Sequence, residues 1–320
     1  RVYRRDGQPG LSAVPRRVMA SPAPYRPRRT PRSEFLTVRS RRLHLLRWGP
    51  ADIEPILMLH GFLDTGATFQ FLVDELPEDW SCAALDWRGF GDSDANGDCY
   101  WFPDYFADLD GVLDALYARG SRVRLIGHSM GGNVAMIYAG LRPERIRWVV
   151  SLDSFGLPAT RSEQAPQRYI EWLDAVARGP PDQATYENLE GFAEKLRARN
   201  PRLTPERALF IAHAWTRPNA AGRFELRADP WHRLVNPVLY RREEAVACWK
   251  RIVAPLLLVL AGDSDYFPRL GLGIDQLRAE LPAARTRIVR LPNVGHMMHH
   301  EAPAALAELL RAERAALESI

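Results

Sequence analysis

Three cysteines in 320 residues, Cys82, Cys99 and Cys248, are too few and too scattered for a disulfide framework. They form no C-x-x-C pair and no zinc pattern, so a reducing, cytoplasmic setting is expected. No apolar run approaches the roughly 18–20 residues that cross a bilayer, so no membrane span is expected. Internal repeats and metal-ligating constellations are missing too. Net charge is also scarce: +4 in total, and unevenly placed. Residues 1–32 hold nine Arg and one Asp, a net +8, which leaves the rest of the chain at −4. A mildly acidic body argues against nucleic-acid binding by the folded part.

The basic segment 1–32 is rich in Pro and Arg and has no periodic apolar face, so a disordered tail is expected there. It lacks the apolar stretch of a secretory signal, and its Arg pairs are not followed by one. The first residue is Arg, and Met19 is a candidate start. The tail's charge could attract anionic membranes, in a manner that salt would abolish.

From Glu34 the pattern changes. EFLTVRS and RRLHLLRWG read as an opening pair of strands. PILMLH (55–60), SCAALD (81–86), VRLIGH (123–128), WVVSLD (148–153), PLLLVLAG (255–262) and TRIVRLP (286–292) are short, nearly continuous apolar runs. Such runs fit strands buried on both faces. Helical stretches at about 66–76, 103–119, 130–141 and 301–318 alternate with them, which implies an α/β fold with a parallel sheet. Residues 155–250 break the alternation. They contain helix-like stretches and no buried-strand run, so they are expected to form a helical cap, leaving 33–154 and 251–320 as the core. Their aromatics, Tyr169, Trp172, Phe192, Phe210, Trp215, Trp231 and Tyr240, suggest a largely apolar pocket.

The chemistry centres on GHSMGG, which fits G-x-S-x-G with Ser129 between Gly127 and Gly131. The run VRLI precedes it and a helical stretch follows, the strand–turn–helix context of a nucleophile elbow. A serine hydroxyl needs a base, and the base an orienting acid. His296, in the loop before the last helix, is the expected base; His299 and His300 are expected to be surface or capping residues. His213 and His232 lie in the insertion and could face the pocket or only pack. For the acid, Asp265 in AGDSDYFP is the first choice, Asp153 in SLDSFGLP the alternative, and Asp263 a third. Two backbone N–H groups, of Phe62 in HGFLDTG and of Met130, are expected to form an oxyanion hole.

HGFLDTGATF, DWRGFGDSD, GHSMGG, GDSD and GHMMHHEAP, in that order, resemble the α/β-hydrolase superfamily from about residue 34 to the end. The first two motifs and the segment FELRADPWHRLVNP are closest to the serine hydrolase-like proteins. The resemblance implies an eight-stranded, mostly parallel sheet with an antiparallel second strand, and no cofactor. It leaves the acid open, since in capped relatives the acid follows either strand. Related epoxide hydrolases and haloalkane dehalogenases carry Asp at the elbow; Ser129 instead favours acyl transfer. The expected activity is hydrolysis of an ester or other small acyl substrate, carboxylesterase- or lipase-like. A thioesterase, a C–C bond hydrolase and a perhydrolase would use the same triad. A non-catalytic ligand receptor is the rival of another class, opposed by the presence of every triad member.

Overall fold

The computed structural model describes residues 24–319. A hairpin of β1 (Arg32–Val38) and β2 (Arg41–Trp48) opens the chain. Then follow β3 (Ile56–Leu59), the single turn α1 (Gln70–Val73), β4 (Cys82–Leu85), α2 (Phe102–Leu116), β5 (Val123–His128), α3 (Met130–Leu141) and β6 (Ile146–Leu152). The insertion holds α4 (Ala165–Arg178), β7 (Thr185–Tyr186), α5 (Leu189–Arg199), α6 (Pro205–Trp215), β8 (Thr216–Pro218), β9 (Phe224–Leu226) and α7 (Arg242–Trp249). The chain closes with β10 (Leu256–Ala261), α8 (Tyr266–Arg269), α9 (Ile274–Glu280), β11 (Thr286–Leu291), α10 (Met298–Glu301) and α11 (Pro303–Glu318).

Eight strands form one sheet in the order β1-β2-β4-β3-β5-β6-β10-β11. β2 runs antiparallel to both its neighbours, and every pairing from β4 to β11 is parallel. Parallel strands need helical crossovers, and the helices cover both faces. Leu57 and Leu59 of β3 pack with α2, α3 and α7, whereas Ile56 and Met58 pack with α1 and α11. This two-sided burial is why the strands read as continuous apolar runs. It also carries the C-terminal ends of β3, β5 and β6 to one edge of the sheet, where ligands bind in open α/β folds.

Three expectations change. Residues 24–32 belong to the expected tail but are packed on the body. The Tyr25 hydroxyl donates to Asp74 at 2.7 Å, and the Arg29 guanidinium donates to the carbonyls of Val73, Pro77 and Trp80. A cation is suited to these carbonyls, which lie at and beyond the C-terminal end of α1. Residues 1–23, with Met19, lie outside the described residues. Secondly, the insertion is not wholly helical, because β7, β9 and β8 form a small antiparallel sheet. Strands of two or three residues are too short to show an alternating pattern. Thirdly, α7 returns to the core, where Ala245 and Trp249 pack in the cluster beneath α3.

Three of the insertion's aromatics lie in different places. Phe192 is buried in the insertion's own core and stacks on Tyr186. Phe210 packs on Phe71 and Tyr25. Tyr169 is half-exposed on α4, a helix with no buried residue.

Candidate active site

Ser129 joins the end of β5 to the start of α3 with φ 50° and ψ −115°. That conformation costs a non-glycine residue free energy, so the surroundings must impose it. The two flanking glycines explain how. A Cβ on Gly131 would lie 2.1 Å from the carbonyl oxygen of Leu59, and one on Gly127 would lie 2.5 Å from that of Gly131. The turn is thus pressed against β3, and only hydrogen fits at either position. Ser129 donates its N–H to the Leu152 carbonyl at 3.1 Å, and its own carbonyl accepts from the Ser154 hydroxyl at 2.7 Å. Its side chain stays partly accessible.

His296 sits in the loop between β11 and α10. Its Nδ1 lies 2.8 Å from Oδ2 of Asp153, a fully buried carboxylate just after β6. The other oxygen, Oδ1, accepts the Ala261 N–H at 3.0 Å, which fixes the carboxylate plane. Asp153 is itself in left-handed backbone, φ 45°. The His296 ring stacks on Tyr266, with centroids 4.0 Å apart and planes 3° from parallel.

The first-choice partner, Asp265, is not there. It is exposed and pairs with Arg269 one helical turn on, while Asp263 pairs with Arg202. Asp153 takes the position at His296 through its own turn, at φ 45° with its N–H on the Val259 carbonyl, which brings the carboxylate to the histidine loop. Phe62 lies in the loop after β3, half-exposed, with its ring edge-on to Phe90 and His232. Met130 is the first residue of α3, where a backbone N–H has no intrahelical partner.

His299 and His300 correct a further expectation, for both are buried. The cause is Asp64, also buried. Its Oδ1 accepts from Thr65 N–H, the Thr68 hydroxyl and Trp215 Nε1–H at 2.7–2.8 Å. His299 Nε2 and His300 Nε2 approach its Oδ2 at 3.2 and 3.3 Å. Burial opposes the Asp64 charge, but the adjacent His300 and His299 outweigh it and hold the carboxyl well below its ordinary range. Burial pushes His299 down to about 4. Of the insertion histidines, His213 is exposed, and His232 is buried between Phe90 and Tyr100 and pushed down by that burial to about 3.

Asp64, His128 and His299 offer buried donor atoms all within 4.8 Å of one another, residue types that suit a divalent cation. Both oxygens of Asp64 already face protein groups, and His299 is bonded to it, whereas the side-chain bond of His128 goes to the His296 carbonyl instead. Tyr266, Asp64 and His128 went unremarked in the sequence. Their only sequence signal is their place inside the stretches HGFLDTG, GHSMGG and AGDSDYFP.

An eight-stranded sheet with a serine elbow after its fifth strand and a histidine loop after its last defines an α/β-hydrolase fold. The chain belongs to the alpha/beta hydrolase family, which it matches over residues 56–309. It is 33% identical over 229 residues to a serine hydrolase-like protein of Danio rerio, covering 68% of this chain and 67% of that one. Among solved structures, a hypothetical protein of Pseudomonas aeruginosa PAO1 superposes with a TM-score of 0.77 at 28% identity, covering 90% of this chain and 99% of the other. A thioesterase domain from the curacin biosynthetic pathway reaches a TM-score of 0.77 at 25% identity, covering 88% of this chain and 99% of that one. No helix among the described residues is long and apolar enough to cross a membrane.

Proposed function

We propose that this protein is a serine hydrolase that cleaves an ester or other acyl bond through an acyl-enzyme. The observation that carries the reading is the His296–Asp153 pair, in a loop whose His296 carbonyl is bonded to His128, the residue before a serine held at a left-handed strand–helix turn. In this reading His296 takes the Ser129 proton while Oγ bonds to the acyl carbon. The N–H groups of Met130 and Phe62 receive the oxyanion, each worth about 3 kcal/mol. Collapse breaks the bond to the leaving group, which takes its proton from His296. Water, deprotonated by His296, then releases the acid and restores Ser129. Asp153 orients His296 and balances its transient charge.

The same reading makes the segment between β6 and α7 a cap over the site. It also places the enzyme in a reducing, cytoplasmic setting, supported by three free thiols. Hydrolysis of p-nitrophenyl esters from acetyl to dodecanoyl, with Ser129→Ala as the blank, tests the reading. Turnover that peaks at one chain length and vanishes in the variant supports it. A second reading, a thioester substrate, is favoured by the likeness to the curacin thioesterase domain. Acyl thioesters cleaved faster than the matched esters would select it.

A further inference from the structure

The His128 side chain, next to the serine, is buried and unused by the reaction proposed above. Its Nε2 lies 2.8 Å from the backbone carbonyl of His296, 168 residues further along the chain. A carbonyl only accepts, so Nε2 carries the proton. The other nitrogen, Nδ1, has no partner among the described residues although it is buried. The ring is wedged between His296 and His299, with centroids 4.7 and 4.5 Å away. Burial, together with those two histidines, pushes the His128 pKa well below its ordinary value. It is therefore neutral, with one N–H to give.

A buried imidazole with one orphaned nitrogen packs worse than an apolar side chain of its size. What its polarity does accomplish is to grip the loop that carries His296. Two other ties on that loop lie just before His296: Gly295 N–H to Glu301, and the Val294 carbonyl to Asp263 N–H.

We infer that His128 is a positioning residue, whose Nε2–H clasps the His296 carbonyl and so fixes the base relative to the serine turn that His128 itself precedes. The clasp joins the two halves of the site in one covalent step, because His128 and Ser129 share a peptide bond. Asp64 and His299 form the floor beneath it: His299 leans on His128 and is tied to Asp64. The inference rests on the serine-hydrolase reading and deepens it.

Three variants test it. In His128→Gln the amide nitrogen reaches the place of Nε2; in His128→Asn it stops short; in His128→Leu the donor is gone and the volume kept. Expected for Leu and Asn is a fall in kcat of about 10- to 100-fold with KM within about 2-fold, since small misplacement of a catalytic group costs rate rather than binding. Fluorophosphonate labelling of Ser129 should slow by the same factor, and Gln should return kcat to within about 3-fold of the wild type. Asn and Gln are equally polar, so their difference survives even if Leu does not fold. Wild-type kcat in all three variants would overturn the inference, as would an equal loss in Gln and Asn, or a loss confined to KM. Loss of wild-type activity to a chelator would also overturn it, by showing that a metal holds His128. Failure of the folded wild type to label would remove the serine reading and the clasp with it. Labelling of wild type and variants at one rate would remove the clasp alone.

Discussion

His296 is bonded through Nδ1 to Asp153, at the end of β6, and not to either carboxylate that follows β10. The bond fixes which ring nitrogen bears the proton and leaves Nε2 for the base's part in the proposed reaction. Asp153→Asn presents an amide in place of the carboxylate and favours the wrong tautomer. It should lower kcat by about 10⁴-fold, as loss of the orienting acid does in such triads. Asp265→Asn removes only an exposed pair with Arg269 and should leave kcat within about 2-fold. Steady-state kinetics on one ester compares the two.

Gly131 has no room to grow. A Cβ there would meet the backbone oxygens of Leu59 at 2.1 Å and His60 at 2.7 Å, and backbone cannot rotate aside as a side chain can. Gly131→Ala should therefore part the elbow from β3 and destabilise the protein by about 3 kcal/mol or more. Denaturant unfolding measures the loss, and ester hydrolysis should fail with it.

Glu318, at the end of α11, ties that helix to Arg124 of β5 and to Arg147 and Trp148 of β6. Burial raises its pKa, but these three donors outweigh burial and hold the carboxyl at about 2, against 4.5 ordinarily. A depressed carboxylate pKa contributes stability above the unfolded value and loses it as pH falls through the folded one. Glu318→Gln should lower Tm at pH 7 by about 2–4 °C. That gap should narrow as pH falls below about 4.5 toward 2, and thermal melts across the range read it directly.

The sheet was legible because strands buried on both faces leave unbroken apolar runs. β10 (Leu256–Ala261) is wholly buried and falls inside the run PLLLVLAG. The serine turn and the histidine loop were legible because glycines and position between elements mark them locally. The acid was not. Asp153 and Asp265 each follow a strand, and the two strands are neighbours, so only the local turn decides which carboxylate meets His296. That turn, with φ 45° at Asp153 and its N–H on the Val259 carbonyl, depends on a strand more than a hundred residues away. His299 was misread for the same reason: its partner Asp64 lies 235 residues earlier. The docking of Tyr25 and Arg29 was hidden because a Pro/Arg-rich composition records no contact with α1.

Two members of the proposed triad, Ser129 and Asp153, sit at positive φ, 50° and 45°. Held backbone of this kind costs on the order of 1–3 kcal/mol per residue, and the cost falls on any residue that bears a Cβ. Position 129 is therefore a reserve of stability that the fold has forgone, and glycine there would recover it along with an inert protein. In the proposed reaction it is the hydroxyl, and not the architecture, that gives a side chain a reason to occupy so unfavourable a place.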